Sequence, residues 1–197
     1  MEMQAARSPE FLAFAAPLMR EAFDGSGPAW EVANIQAHYR RVKPDFIRVN
    51  ADEVTYPAHV ILRFNLERAL VAGQMEVDDI PSAWNEGFKR LLGRVPPSDR
   101  EGCLQDIHWY DGAFGYFPTY TLGAMTAAQL FDAAKRADPD VLPGLGRGDV
   151  KPLLGWLRAK VHGLGSSLST DALLTQATGR PLDGSVFKAH LKARYLD

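Results

Sequence analysis

Two stretches of this sequence carry residue types better suited to chemistry than to core packing. The first runs Ile47-Arg48-Val49-Asn50-Ala51-Asp52-Glu53-Val54-Thr55-Tyr56. Arg48 sits between apolar residues, and an acidic pair with a hydroxyl residue follows. A half-buried arginine needs a carboxylate or carbonyl partner, and its planar fork suits bidentate capture of a carboxylate. A plainer reading of the same residues is a structural pair, Arg48 with Asp52, that fixes the turn. The second stretch is Gly102-Cys103-Leu104-Gln105-Asp106-Ile107-His108-Trp109, continuing through Gly112-Ala113-Phe114-Gly115-Tyr116-Phe117-Pro118-Thr119-Tyr120. Here His108 lies two residues after Asp106, with tyrosines eight and twelve residues further on. An imidazole and tyrosine hydroxyls converging at a glycine turn could donate hydrogen bonds to a carbonyl oxygen as it acquires charge. Asp106 beside the ring would orient the imidazole and hold it protonated. The alternative is an aromatic packing cluster containing a hydrogen-bonded histidine.

Other candidates are weaker. His59, Arg63 and Glu67 fall one turn apart on one predicted helix and share a stripe. They read as an interior polar ladder, because Arg63 repels a cation. His38, His162 and His190 have no convergent acidic or thiol neighbours, and Cys103 has no activating base and reads as an inert buried thiol.

Helices must position these residues. Ser8-Pro9 is an N-cap with proline in the first turn, followed by Phe11, Phe14, Ala15 and Leu18 at helical spacing. A second helix is expected over 29–42. The segment 46–54 alternates and is the one candidate for a short strand or extended stretch. A long helix opens at Thr55-Tyr56-Pro57 with Val60, Ile61, Phe64 and Leu70 on its apolar side, and ends at Gly73. Another begins at Pro81, turns Trp84, Phe88, Leu91 and Leu92 inward, and stops at Gly93. Ser98-Asp99-Arg100-Glu101 reads as a capping box, which predicts a helix leading into Gln105 and Asp106. Helices are then expected over 122–137, 149–161, 169–178 and 183–195. The architecture is therefore mainly α, a single helical unit over residues 1–197 with at most a short β element near 46–54.

Composition narrows the functional classes. The chain has 197 residues, 22 Lys plus Arg against 24 Asp plus Glu, and a formal net charge of -2. That balance leaves no basic footprint for nucleic acid or an anionic membrane. The one cysteine excludes an intrachain disulfide and a Cys₄ or Cys₂His₂ zinc site. No apolar run reaches membrane-spanning length, and the N-terminus lacks the basic and apolar regions of a signal peptide, so a cytoplasmic location is expected.

Taken together, the two motif segments resemble the carboxypeptidase Taq family of zinc metallocarboxypeptidases, which have a mainly helical, neurolysin-like fold. The family's I/V-R-x-x-A-D matches Ile47, Arg48, Ala51 and Asp52. Its G-x-x-Q-D-x-H-W matches Gly102, Gln105, Asp106, His108 and Trp109, and the Phe-Gly-Tyr-Phe-Pro-Thr-Tyr-x-Leu-Gly run from Phe114 to Gly123 fits as well. The resemblance covers almost the whole chain. It implies that Arg48 holds the free carboxylate of a peptide C-terminus, that Gln105, Asp106 and Trp109 line the substrate cleft, and that His108 donates to a substrate carbonyl. Tyr116 or Tyr120 would take the oxyanion-stabilising part.

One departure stands against these matches. The family binds zinc through H-E-x-x-H and the Glu of a later H-E-S motif, and the Glu inside the first motif activates the water. The five histidines here never form an i, i+4 pair, and none precedes Glu. The chain corresponds to the C-terminal portion of the family, beginning after the H-E-S segment. It is expected to supply substrate contacts without zinc ligands, to be inactive alone, and to need a missing N-terminal half. The alternative is a non-catalytic peptide-binding or oligomeric scaffold. Family members are generally homodimers, which implies a homo-oligomer.

Overall fold

The computed structural model describes residues 1–196, with Glu2 described by its backbone alone. Among the described residues every regular element is helical. The chain divides into two compact units, one made of Met1–Arg41 and the chain from Ala124 onward, the other of Val42–Gly123.

The second unit carries the motif segments. It is built on α4 (Tyr56–Val71) and α5 (Ile80–Leu92), and α5 ends at Gly93 as its sequence signals predict. Leu62 and Leu66 from α4, Trp84 and Phe88 from α5, and Cys103 form its core. The segment 46–54 forms no strand: Arg48–Asn50 is a single 3₁₀ turn between extended residues Ile47 and Ala51. Nor does a helix lead into Gln105. The expected capping box does not form either: the Ser98 hydroxyl donates to the Glu101 carboxylate at 3.4 Å in place of accepting from its backbone N–H, and the chain continues only as turns. The reason lies in Gln105 itself, whose side-chain amide donates to the carbonyls of Glu101 (2.9 Å) and Gly102 (3.1 Å). Those are the acceptors a continuing helix would offer to the next backbone N–H groups.

The face that α4 buries also differs from expectation. Val60 is buried as expected, but Ile61 and Phe64 are exposed, while His59, Leu62, Arg63, Leu66 and Glu67 are buried. The polar stripe, with two leucines beside it, is the inward face.

The first unit holds α1 (Glu2–Ala5), α2 (Pro9–Ala22) and α3 (Val32–Tyr39). With them are the later part of α6 (Pro118–Ala137), α7 (Val141–Gly146), α8 (Lys151–Lys160), α9 (Thr170–Thr178) and α10 (Gly184–Tyr195). Side-chain caps at Ser8, Ser169 and Asp183 fix the starts of α2, α9 and α10. The helix expected over 29–42 is shorter, because Pro28–Trp30 forms a 3₁₀ turn first. Conversely, α6 starts at Pro118, one turn before its expected position, which brings Tyr120 onto a helix. Leu12, Ala16 and Ile35 form one apolar cluster; Phe131, Ala134, Val141, Leu145, Leu153 and Leu157 form a larger one. Gln129, fully buried, clasps the α9–α10 connection. Its amide donates to Thr178 Oγ1 and to the carbonyls of Arg180 and Pro181, and its oxygen accepts from the Asp183 backbone N–H.

Candidate functional site

The site grows from two arginines that share one carboxylate. Arg48, on the 3₁₀ turn, donates from Nη2 to Asp106 Oδ1 at 2.7 Å and from Nε to the same oxygen at 3.1 Å. Arg63, one turn along α4 from His59, donates from Nε to Asp106 Oδ2 at 2.7 Å. Its Nη2 lies 2.5 Å from that oxygen as an ion pair, and its Nη1 donates to the His59 carbonyl. The expected partnership of Arg48 with Asp52 does not form. Asp52 instead accepts backbone N–H groups from Lys43, Val54 and Thr55 and shapes the turn. A short aspartate next to unpaired N–H groups is taken by them before it can reach a guanidinium.

Aromatic rings enclose both cations. The Arg48 guanidinium lies 4.9 Å from the Tyr120 ring centroid and 5.4 Å from that of Phe117, and that of Arg63 lies 4.6 Å from Trp84. Arg48 also donates from Nη1 to the Tyr56 hydroxyl at 2.6 Å. Gln105 fastens this turn to the motif loop: its oxygen accepts from the Arg48 backbone N–H, and its amide donates to the Phe46 carbonyl.

The electrostatics follow from this sharing. Burial would raise the Asp106 pKa, but the Arg48 hydrogen bond and the charges of Arg63 and Arg48 outweigh it and hold the carboxyl below its ordinary value. Burial would lower that of Arg48, and Asp106 more than reverses the effect. The more deeply buried Arg63 is brought down to about 10 by desolvation, which Asp106 only partly offsets. His59 is pushed down to about 4 by burial, with Arg63 and Arg48 adding to the shift, so its ring is neutral near pH 7. Neither ring nitrogen has a hydrogen-bond partner, and the ring packs edge-on against Phe88.

Asp106, committed to two arginines, does not orient His108. The histidine's partner is instead Tyr120, with Nε2 and the phenol oxygen 2.9 Å apart. His108 packs on Phe117 at 4.3 Å between centroids, and Tyr116 leans on it at 5.7 Å. The buried His108 Nδ1 has no hydrogen-bond partner. Tyr116 is 49% exposed and forms the outer edge of the cluster.

Two residues that the motifs did not single out as site residues complete the framework. Glu67, the last member of the α4 stripe, accepts from Trp109 Nε1 at 2.8 Å and from the Gly115 backbone N–H at 3.2 Å. Gly115 and Gly112 both adopt positive φ, which lets the loop reverse between His108 and Tyr116. Arg63 and Glu67 were visible in the sequence as a helical stripe, but their partners lie more than 40 residues away.

No group of three or more His, Cys, Asp and Glu side chains placed to hold a metal ion occurs among the described residues. Asp106 beside His108 is neutralised by arginines, and Arg63 separates His59 from Glu67. The described residues therefore do not fit a zinc ion.

This helical arrangement is that of metallocarboxypeptidases. The chain superposes on Trypanosoma cruzi metallocarboxypeptidase 1 with a TM-score of 0.95 at 45% identity, covering 100% of this chain and 41% of that one. A Deinococcus radiodurans M32 carboxypeptidase structure matches with a TM-score of 0.91 at 35% identity, covering 97% of this chain and 39% of that one. The family model for carboxypeptidase Taq (M32) metallopeptidases matches residues 1–195, and the chain belongs to that family. It is 39% identical over 190 residues to thermostable carboxypeptidase 1 of Pyrococcus furiosus, covering 96% of this chain and 38% of that protein. Against the Thermus thermophilus protein of the same name it is 40% identical over 181 residues, covering 91% of this chain and 35% of the other. The chain thus spans between 35% and 41% of the length of these relatives, consistent with the C-terminal portion that the motifs indicated.

Proposed function

We propose that this chain forms the substrate-holding wall of a metallocarboxypeptidase cleft, acting on peptide C-termini, and that it does not turn over substrate as an isolated polypeptide. The observation that carries this reading is the His108–Tyr120 pair with Tyr116 beside it, held by a buried ionic framework at the motif loop. Imidazole and phenol groups placed in this way suit a carbonyl oxygen that gains charge. Of the five guanidinium N–H bonds of Arg48, those pointing from Nε, Nη1 and Nη2 to Asp106 and Tyr56 account for three. The remaining two suit a terminal carboxylate. Gln105, Asp106 and Trp109 serve the substrate indirectly, by fixing the positions of Arg48 and His108. Positioning without a Lewis acid and general base does not generate a nucleophilic water near neutral pH, hence the expected inactivity.

The test is release of the C-terminal amino acid from an N-blocked dipeptide, with added zinc and a chelator control. The chain alone should release none. Co-expression with the remaining portion of a full-length relative should restore chelator-sensitive release, and failure to do so in a folded complex would count against the proposal. Chelator-sensitive turnover by the isolated chain at an enzyme-like rate would overturn the inactivity.

A second reading, an oligomeric scaffold, draws on the apolar outer face of α4. Ile61, Phe64 and Val71 are exposed there, Val71 at 78%. Apolar surface of this kind favours self-association, and a dilution-stable monomer in sedimentation would remove this reading.

A further inference from the structure

An apolar cavity of about 630 Å³ lies within the second unit, bounded by the end of α4, the start of α5 and part of the loop 103–114. That size falls in the range of roughly 300–1,000 Å³ in which proteins hold small organic ligands. Arg48, His108, Tyr116 and Tyr120 do not line it, so it is not the place proposed for a peptide C-terminus. Its floor is core: Met75, Ile80 and Trp109 pack against the buried cluster that includes Leu66 and Trp84, and the Cys103 thiol is buried there. Its rim is not, because Val77, Leu104, Tyr110 and Phe114 are all exposed. Large apolar side chains exposed around one concavity mark a binding groove, whereas single exposed ones mark nothing.

The aromatic wall of the cavity is held in place before any ligand arrives. The Trp109 and Phe114 rings stack 15° from parallel with centroids 6.4 Å apart, and Trp84 meets Trp109 edge-on. Trp109 Nε1 donates to one oxygen of Glu67, and the Gly115 backbone N–H, next to Phe114, donates to the other. Both members of the stack are thus tied to one buried carboxylate, so little conformational freedom is lost on binding. Charge then selects the occupant. Among the described residues no lysine, arginine or histidine lines the cavity, and its one charged side chain is Glu76, exposed at the rim with Asp78 and Asp79 close behind it in the chain. An anionic ligand would give up its hydration and meet only like charge there. A flat ring without negative charge would extend the existing stack.

We propose that this cavity is a binding site for a small planar aromatic ligand that carries no negative charge. Stacking on the Trp109–Phe114 wall supplies orientation, burial against Cys103, Met75 and Leu104 supplies affinity, and the carboxylate at the rim excludes anions. The site does not depend on the peptidase reading.

Heteronuclear NMR titration with indole, tryptamine and indole-3-acetate, which share a ring system and differ in charge, tests the proposal. The chain has four tryptophans, of which Trp109 alone lines the cavity. Saturable shifts of the Trp109 Nε1–H and Gly115 N–H signals are expected, with those of Trp30 and Trp156 unmoved. Indole and tryptamine should each bind at least about tenfold tighter than indole-3-acetate. Tryptamine the tighter would mark a basic ligand and indole the tighter a neutral one; both support the site. Cyclohexylmethanol, apolar but not flat, should bind at least about threefold more weakly than indole. Phe114→Ala and Leu104→Ala should each weaken indole binding about three- to tenfold with unchanged circular dichroism, as loss of one ring or apolar wall group implies. Leu18→Ala, at an exposed leucine of the first unit, should change nothing. Indole-3-acetate binding as tightly as indole, or indole binding that survives both Phe114→Ala and Leu104→Ala, would overturn the proposal. So would Trp109 shifts that follow protein concentration alone, which would make the occupant a second copy of this chain. Loss of indole binding in the co-expressed complex would overturn it as well, by giving the cavity to the remaining portion of the relative.

Discussion

Arg63 and Asp106 stand 43 residues apart in the chain and 2.5 Å apart in space, and Arg48 approaches the same carboxylate from its other oxygen. One aspartate therefore joins α4, the 3₁₀ turn at Arg48 and the motif loop. Loss of a shared counter-ion exposes two buried charges at once, which makes this carboxylate the most consequential single group of the second unit.

Asp106→Ala should destabilise the chain by about 3–5 kcal/mol, the range for leaving buried charges uncompensated. Asp106→Asn keeps the shape and two acceptor lone pairs, and should recover part of that loss. Urea unfolding of the two variants measures the difference, and equal stability of all three proteins would refute the shared-ion account.

Stability should also fall as the solution is acidified, first because of His59. Its folded pKa is about 4, against an ordinary value of 6.5. The unfolded chain therefore takes up a proton that the folded one refuses. The contribution is fully present above about pH 6.5 and is lost progressively as the pH falls towards 4, reaching about 3 kcal/mol. His59→Leu should flatten the slope of unfolding free energy over that window, whatever it does to absolute stability. Asp106, whose folded pKa is depressed, adds a second loss below its ordinary value near 3.8, with the same sign.

Glu67→Ala removes the acceptor of both Trp109 Nε1 and the Gly115 N–H and should cost about 1–3 kcal/mol. The effect should be local: hydrogen exchange at Gly115 should accelerate far more than exchange in α5. Glu67→Gln retains one acceptor oxygen and should protect one of the two donors. Uniform acceleration across both units would show that Glu67 supports global packing instead.

In a complex restored to activity, Tyr120→Phe should lower kcat about 10²-fold, the usual loss when one oxyanion donor is removed. Tyr116→Phe reports on the outer edge of the cluster, where the ring leans on His108 without a hydrogen bond between them. Equal, small effects of the two substitutions would leave the His108–Tyr120 bond with a packing role only.

Helix boundaries were legible where a local signal governs them. Ser8 with Pro9, Ser169, Asp183 and Gly93 act on backbone groups within a turn of themselves, so the sequence alone locates them. The buried face of α4 was not, because a helical stripe of His, Arg and Glu is polar until distant partners arrive. Asp106 and Trp109 supply those partners, and Ile61 and Phe64 are left outside. Among the candidate site residues, His108 and Tyr120 do meet. Asp106 turned away from His108 because two guanidinium groups outcompete one imidazole for a carboxylate. The segment after Ser98 shows the limit of capping rules: its hydroxyl bonds the Glu101 side chain and not the backbone, and the Gln105 amide takes the acceptors needed to propagate a helix.

The buried amide of Gln129 spans the junction of α9 and α10 with four hydrogen bonds from one side chain. The connecting residues also hold one another, Thr178 donating to the Arg180 carbonyl and Arg180 pairing with Asp183, but only Gln129 reaches both ends of the connection from the interior. When Gln129 lets go, the Pro181 carbonyl and the Asp183 backbone N–H lose this partner together. Residues 179–181 already face solvent, so the grip of one buried amide is what stands between this surface connection and the freedom a protease needs.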